Sequence, residues 1–205
     1  KVAVWSDTKY HNMDYKTMKN IILLSLTMFL SACGSQNVKP INTVDYVDLD
    51  KFMGDWYVIA NIPTFIETDA YNAIETYAMN DDGTIATTFT FHDSSSDGEL
   101  KKYEPTGFIV DEQSNALWDM QFIWPFKAEY RVIYLDDDYE TTIIGRTKRD
   151  YVWLMSRQSS IDEDSYASLL AYIQSQGYDI SKVQKVPQIW NEETTGIDNK
   201  QENMQ

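Results

Sequence analysis

The chain contains few residues of the types that catalyse reactions or hold metals. Its one cysteine is Cys33, and its two histidines are His11 and His92. One cysteine cannot form an intramolecular disulfide or a cysteine-rich zinc site. No Ser/His/Asp or Cys/His pattern typical of nucleophilic catalysis is visible, and His92 lies beside a serine-rich turn, which favours a solvated loop histidine. We therefore expect no catalytic residue, no metal and no cofactor.

Glu75 is the acidic residue whose surroundings could give it a chemical role. Alternation with period two places Glu75, Tyr77 and Met79 on one face of a predicted strand. A carboxylate buried there without a cation is costly, so Glu75 should be protonated or meet a cation. Two alternatives stay open: Glu75 and the tyrosines could do acid–base work, or Glu75 could sit in water at an open rim and select nothing.

Charge and composition limit the classes of protein that the chain can be. Its 205 residues include 17 lysines and arginines against 32 aspartates and glutamates. Non-specific nucleic-acid binding needs a basic surface, so this balance argues against a nucleic-acid partner. Hydrophobic residues make up 43% of the chain, which is enough for a folded core, and the length predicts one domain.

Residues 18–32 have the parts of a secretory signal peptide: a short basic start, an apolar run over 21–30 and small residues before Cys33. The apolar run is too short to span a membrane as a helix. The segment resembles the lipobox of bacterial lipoproteins, which implies that Cys33 carries diacylglycerol and further acyl chains such as palmitate. Gly34, where an aspartate would imply inner-membrane retention, implies anchoring in the outer membrane. Residues 1–17 precede a plausible start at Met18 and are interpreted as an extension.

Downstream of the signal peptide, the chain divides into a lipidated polar tether at 33–48, a folded domain at 49–190 and a polar tail at 191–205 that we expect to be disordered. Within the domain, β-rich runs recur between turns rich in Asp, Asn and Gly. We place strands at 55–62, 72–80, 84–92, 99–110, 115–123, 128–136, 139–145 and 151–156. Eight runs without an intervening helix predict an all-β fold, which is a closed antiparallel up-and-down barrel or a sandwich.

One helix follows the strands. Ser160, Ile161, Asp162 and Glu163 form a capping-box pattern that predicts its start, and Gly177 predicts its end. A single apolar stripe runs along it, formed by Tyr166, Leu169, Leu170 and Ile173. Because that stripe needs a cover, we expect one C-terminal α-helix packed on the outside of the barrel.

Period-two alternation also predicts which side chains point into the barrel. An eight-stranded barrel has room inside for side chains or for one small ligand, and the alternation alone leaves a solid core and a ligand pocket equally open. Lys101 is the one basic residue of the inward sets and should lie near a rim. If the interior is a pocket, its predicted lining is Glu75, Tyr77, Met79, Phe89, Phe91, Trp118, Met120, Phe122, Tyr130, Val132, Tyr134, Tyr151, Trp153 and Met155.

Three short segments together resemble the lipocalin signature. Gly54, Trp56 and Tyr57 match the family's Gly-x-Trp-Tyr at the first strand, Asp136 and Tyr139 match its Asp-x-x-Tyr turn, and Arg157 stands where the family has an arginine at the last strand. The resemblance covers about residues 47–186 and implies an eight-stranded lipocalin barrel. It further implies that Trp56 plugs the closed end, with the Arg157 guanidinium across its indole and its donors capping carbonyls of residues 50–53. These motif residues are expected to be structural.

Closer similarity is to the bacterial branch of the lipocalins together with apolipoprotein D, carried by residues 56–63, 124–126 and 149–153. Trp124 departs from the small residue that the resemblance implies at this position. The resemblance implies a non-enzymatic protein of the outer membrane that binds, stores or transports a single-chain lipid, a lysophospholipid or fatty acid, for envelope maintenance. Glu75 would favour a lysophospholipid, whose amine it could bind. The alternatives are a lipocalin-fold enzyme acting on a lipid-like ligand and an envelope interaction module without a pocket. A homodimer closing over the barrel mouth also stays open.

Overall fold

A computed structural model describes residues 40–190, and within this range the chain is built mainly of antiparallel strands. The extension, the signal peptide, the lipidation site, residues 33–39 of the tether and the predicted tail lie outside the described residues. The strands are β1 (Gly54–Ile62), β2 (Ala70–Met79), β3 (Ile85–Asp93), β4 (Leu100–Tyr103), β5 (Thr106–Ile109), β6 (Leu117–Ile123), β7 (Phe126–Leu135), β8 (Thr141–Gly145), β9 (Val152–Ser156) and β10 (Gln184–Lys185).

The strands close into an eight-position antiparallel barrel, as predicted. Neighbouring strands pair in chain order, and β9 pairs with β1 to complete the circle. Both β4 and β5 pair with β3 and so share one position. The single strand predicted at 99–110 is therefore wrong. Pro105 interrupts it, because proline has no N–H to donate to a ladder.

β-Bulges turn some side chains to the opposite face from that predicted by simple alternation. In β7 the register shifts between Val132 and Tyr134, so Val132 packs inside the barrel while Ile133 and Tyr134 pack outside. A second shift in β1 lies between Val58 and Ala60, and a third in β2 lies between Tyr71 and Ile74. These bulges let the strands bend around a narrow barrel.

Helix α1 (Leu49–Phe52) leads into β1, and helix α2 (Glu163–Ser175) follows β9. Helix α2 packs on the outside of the barrel, as predicted. Its Leu169 and Ile173 are buried in a hydrophobic cluster on the outer face of the strands, which includes Ile133, Ile143 and Leu154. Its N-cap is Asp162, whose side chain accepts from the Ser165 N–H at 2.9 Å. The cap predicted at Ser160 is wrong because Asp162 offers the same acceptor two residues later. Gly177, with φ +91°, follows the C-cap as predicted.

The chain ends its described course along β1 and β2. A 3₁₀ helix (Ile180–Lys182) leads into β10, which pairs with β1. The side chain of Gln188 then donates to the backbone carbonyls of Val58 (2.9 Å) and Ala73 (3.1 Å). These carbonyls lie at the bulges of β1 and β2, so the segment supplies the hydrogen bonds that the bulges remove from the ladder.

The two ends of the barrel differ. Helix α1 and the turns at 80–83, 110–116 and 136–140 lie at the end where β1 begins, which is closed. The loops at 63–69, 94–99, 124–125 and 146–151 lie at the opposite, open end. No helix among residues 40–190 is long and apolar enough to cross a membrane.

Candidate functional site

The closed end is built around Trp56 and Arg157. The guanidinium lies 3.7 Å from the centre of the indole ring, an arrangement that combines cation–π attraction with planar stacking. Its nitrogens also donate to the carbonyls of Lys51 (2.8 Å), Met53 (2.9 Å) and Asp55 (2.7 Å). Arg157 therefore ties helix α1, the start of β1 and the end of β9 into one floor.

The other residues of the sequence motifs support the same floor. Gly54 has φ +94°, a conformation that favours glycine. The Tyr139 hydroxyl accepts from the Asp48 N–H at 2.8 Å, and its carbonyl accepts from Arg157 at 3.3 Å. Asp136 accepts from the Glu140 N–H at 2.7 Å and holds the β7–β8 turn. These contacts are structural in kind.

Aromatic rings fill the lower part of the barrel above this floor. Phe52 lies 5.1 Å from Trp56 and 5.5 Å from Trp118 between ring centres. Trp118 stacks on Tyr130 at 5.2 Å with the planes 6° apart. Sequence analysis did not single out Phe52, because the short helix that carries it has no periodicity to mark its inward side.

Glu75 lies buried among these rings, which excludes the open-rim alternative. It is hydrogen-bonded to the Tyr77 hydroxyl, which also meets the Tyr130 hydroxyl. Burial, reinforced by the charge of Glu67, raises the pKa of Glu75 to about 8, although a hydrogen bond from Tyr130 opposes the shift. Glu75 is therefore predominantly protonated and neutral at pH 7, the first of the two states expected from the sequence.

The upper part of the interior contains a polar group that sequence analysis missed. Glu67, in the β1–β2 loop, is buried and accepts from the Thr64 N–H (3.0 Å) and from Trp153 Nε1 (3.2 Å). Burial raises the pKa of Glu67, and hydrogen bonds from Thr64 and Trp153 partly oppose this. Asn61 is buried beside it, and neither atom of its amide forms a hydrogen bond of normal geometry within the described structure. Asn61 could have been noticed as a polar residue in an apolar strand, whereas a loop gives no periodic signal for Glu67.

The wall of the interior between Glu75 and Glu67 is aromatic. Phe91 stacks on Tyr103 at 6.2 Å, and Phe89 lies 5.3 Å from Phe91. Tyr103 was missed although alternation along β4 places it inward, opposite Phe89. Of the predicted lining, the structure brings together in the interior Glu75, Tyr77, Phe89, Phe91, Trp118, Met120, Tyr130, Val132, Trp153 and Met155.

Three predicted lining residues do not face the interior. Met79 is partly exposed because β2 extends beyond its last pair with β1. Phe122 is exposed because the register of β6 shifts after Met120. Tyr134 lies outside, with its ring 5.3 Å from that of Tyr172 on helix α2, because of the β7 bulge. A fourth, Tyr151, lies at the open end, partly exposed beside Arg146.

A floor closed by a stacked tryptophan and arginine, beneath an aromatic-lined barrel with one outer helix, defines a lipocalin-type binding protein. The chain belongs to the lipocalins: the family model described as "Lipocalin-like domain" matches residues 47–188. Within residues 40–190, no group of three or more His, Cys, Asp or Glu side chains is arranged to hold a metal ion.

Comparisons with individual proteins agree. The chain is 32% identical to temperature-induced lipocalin-1 of Arabidopsis thaliana over 159 residues, covering 73% of this chain and 84% of the relative. It is 27% identical to the outer membrane lipoprotein Blc of Citrobacter freundii, covering 80% and 92%. Among solved structures, insecticyanin from the tobacco hornworm Manduca sexta superposes with a TM-score of 0.56 at 17% identity, covering 75% of this chain and 86% of that one. This last likeness concerns the fold alone.

Proposed function

We propose that this lipocalin binds and carries a single-chain lipid at the bacterial outer membrane, to which Cys33 anchors it. The observation that carries the proposal is the aromatic interior, with Phe89, Phe91 and Tyr103 lining the part nearer the open end. Apolar walls with a few placed polar groups are typical of sites for small hydrophobic ligands. The similarity to outer membrane lipoproteins supports the location.

The ligand enters with its acyl chain first, in this proposal, because aromatic rings fill the floor and the polar groups of the upper interior lie at Asn61 and Glu67. The head group then lies near Glu67. Among the described residues that face the interior, Lys101 is the basic side chain that could bind a negatively charged head group. It is already paired with Glu99 at 2.7 Å. The carboxylate of a free fatty acid would disfavour the ionised form of Glu67, whereas an amine would stabilise that form and pair with it.

We therefore propose a lysophospholipid with an ethanolamine or choline head as the preferred ligand. The sequence alone assigned the choice of head group to Glu75, but that carboxyl is neutral and hydrogen-bonded at the floor. Glu67 takes over this role in the proposal. The amide of Asn61 supplies a donor and an acceptor for the phosphate or glycerol oxygens.

A competition assay with three oleoyl ligands tests the head-group choice: free oleate, monooleoylglycerol and lysophosphatidylethanolamine displace one fluorescent acyl probe from the chain covering residues 39–205. Its described residues, 40–190, contain the whole barrel. We expect lysophosphatidylethanolamine to bind tightest, and we expect its advantage over oleate to fall about tenfold in Glu67→Gln. Asp97→Asn, an exposed carboxylate in the 94–99 loop of the open end, is the matched control. Tighter binding of oleate, unchanged in Glu67→Gln, would contradict this choice.

We also propose that the protein acts by binding and not by catalysis. Glu75 with Tyr77 and Tyr130 is the group that could transfer protons to a ligand. Mass spectra of the lysophospholipid after prolonged incubation should therefore show an unchanged ligand. A modified ligand that disappears in Glu75→Gln would establish the enzyme alternative instead.

A further inference from the structure

Five consecutive non-polar residues lie exposed at the tip of the β6–β7 hairpin. The exposed fractions are 49% for Phe122, 70% for Ile123, 81% for Trp124 and 76% for Phe126, with Pro125 exposed between them. Single exposed apolar residues are ordinary, but a contiguous group of large ones marks an interaction surface. The hairpin needs none of these side chains for the barrel core, so their exposure calls for a partner.

Two further large apolar side chains are exposed at the same end of the barrel. Phe65, in the β1–β2 loop, is 88% exposed, and Leu100, at the start of β4, is 59% exposed. We call Phe65, Leu100, Phe122, Ile123, Trp124 and Phe126 the apolar rim. At the closed end the exposed large apolar residues, Tyr46, Met79 and Val110, are scattered singly on separate elements.

The charged residues of the turns and hairpin tips also differ between the two ends of the barrel. The closed-end turns at 80–83, 111–115 and 136–140 contain eight aspartates and glutamates and no lysine or arginine. At the open end, the tips of the β6–β7 hairpin (122–127) and the β8–β9 hairpin (145–149) contain Lys127, Arg146, Lys148 and Arg149. Asp150 follows and pairs with Arg146 at 3.4 Å, and the other open-end loops contain Glu67, Asp69, Asp97 and Glu99. The basic side chains of this end are therefore concentrated at the two hairpin tips. The two hairpin tips are close to each other, because Thr147 of the β8–β9 tip donates its N–H to Glu129 of β7 at 2.6 Å. Basic side chains therefore adjoin the apolar rim in a chain that is acidic as a whole.

We propose that the apolar rim docks the open end of the barrel on a phospholipid bilayer with an anionic surface. Exposed Trp, Phe and Ile side chains beside lysines are the chemistry that enters the head-group region of a membrane. Basic residues near such a surface add attraction to anionic lipids. The eight acidic residues of the closed-end turns would be repelled from the same surface, which fixes the orientation.

A second copy of the chain is a poorer fit to the same surface. A two-fold dimer places the same patch on both subunits. It would therefore bring the basic hairpin tips of the two copies together, and like charges across an interface oppose association. A bilayer carries the opposite charge and imposes no such repulsion.

The position of the tether is compatible with docking in this orientation. The described chain runs towards the closed end after Pro40, from the contact of Val44 with Val132 to that of Val47 with Ser114. Six residues separate Cys33 from Pro40, and an extended chain covers at most about 25 Å over the seven Cα–Cα steps between them. A lipid on Cys33 would therefore hold the barrel close to the membrane. Docking rests on the proposed membrane location but not on the identity of the ligand.

Vesicle binding by the chain covering residues 39–205, which lacks Cys33, tests the proposal. The probes are sedimentable vesicles of phosphatidylcholine alone and of phosphatidylcholine with phosphatidylglycerol. The rim variant is Ile123→Ser/Trp124→Ser/Phe126→Ser. The matched control is Tyr46→Ser/Val110→Ser, which removes exposed apolar side chains at the closed end. Displacement of the acyl probe is measured on the same samples, so that loss of docking and loss of ligand binding are told apart.

We expect the wild-type chain to bind the phosphatidylglycerol vesicles more tightly, with less binding at high salt. The partition coefficient should fall at least about tenfold in the rim variant, because three large apolar groups are lost, and it should be unchanged in the control. Probe displacement should survive in the rim variant. Absence of vesicle binding in the wild type, or equal losses in the rim variant and the control, would overturn the proposal. Sedimentation that shows a dimer dependent on the rim, without vesicle binding, would assign the surface to a second copy instead.

Discussion

At the scale of single residues, the lipocalin signature is explained by hydrogen bonding at a chain crossing. Arg157 brings together carbonyls from helix α1, β1 and the β7–β8 turn. One planar guanidinium can serve several carbonyls and still stack on Trp56. Lysine offers a single ammonium and cannot do both.

Replacing Arg157→Ala should lower the free energy of unfolding by about 1–3 kcal/mol, through lost stacking and uncapped carbonyls. Urea denaturation of the chain covering residues 39–205 measures this. Arg157→Lys should recover only part of the loss, whereas Lys182→Ala, at an exposed site, should change stability by less than about 0.5 kcal/mol. Equal stability of the wild type and Arg157→Ala would contradict this account of the closed end.

The pKa of Glu75 predicts a dependence of stability on pH. Its folded value of about 8 lies above the ordinary value of 4.5, so between these pH values the folded chain holds a proton that the unfolded chain releases. The contribution of Glu75 to the free energy of unfolding is therefore largest below about pH 4.5 and is lost as the pH rises through 8. Glu75→Gln should remove this loss, so its stability relative to the wild type should rise between pH 5 and pH 9 by at most about 5 kcal/mol. Urea melts at pH 5, 7 and 9 that show a constant difference would refute a neutral Glu75.

At the scale of elements, alternation predicted the barrel well and failed where strands are irregular. Period two correctly placed Phe89 and Phe91 inside because β3 pairs regularly through them. It failed for Tyr134 because a bulge adds one residue and turns the following side chain outwards. No sequence signal marks that bulge, since Val132, Ile133 and Tyr134 all favour strands. Glu67 could not be found by alternation, because it lies in a loop and becomes buried only where that loop meets Trp153 of β9.

The C-terminal segment shows how the fold compensates for its bulges. The side-chain amide of Gln188 donates to carbonyls of both β1 and β2. Gln188→Leu keeps the approximate size but removes both donors, and should cost about 1–3 kcal/mol of unfolding free energy. Gln184→Leu, which loses one exposed bond to the Thr68 carbonyl, should cost less than about 1 kcal/mol. Chemical denaturation curves compare the two, and equal costs would contradict a special role for Gln188.

At the scale of the whole molecule, the two ends of the barrel have different chemistry. The closed-end turns are acidic and tied together by Arg157, while the open end carries the apolar rim and the basic tips of two hairpins. A carrier that exchanges lipid with a membrane needs its mouth at the bilayer and its floor away from it. In our proposals, the ligand enters at the open end and the docking surface lies at the same end.

The anchor is tested in the chain that begins at Met18, produced in a bacterium. Cys33→Ser should abolish incorporation of labelled palmitate and leave an unprocessed precursor, because the thiol that accepts diacylglycerol is gone. Ser35→Ala, two residues downstream, should be lipidated normally. A Cys33→Ser chain that is still cleaved and still held in the outer membrane fraction by an acyl group would show that the anchor lies elsewhere.

The central claim is that the barrel interior holds a single-chain lipid, and mass spectrometry of the lipids retained by the purified chain covering residues 39–205 tests it most directly. We expect one single-chain lipid per protein, unaltered in structure. Tyr103→Glu places a charge on the aromatic wall of the interior and should reduce this occupancy severalfold, whereas Tyr46→Glu, at an exposed site, should leave it unchanged. An interior without lipid, or equal retention by the Tyr103→Glu and Tyr46→Glu variants, would contradict the account.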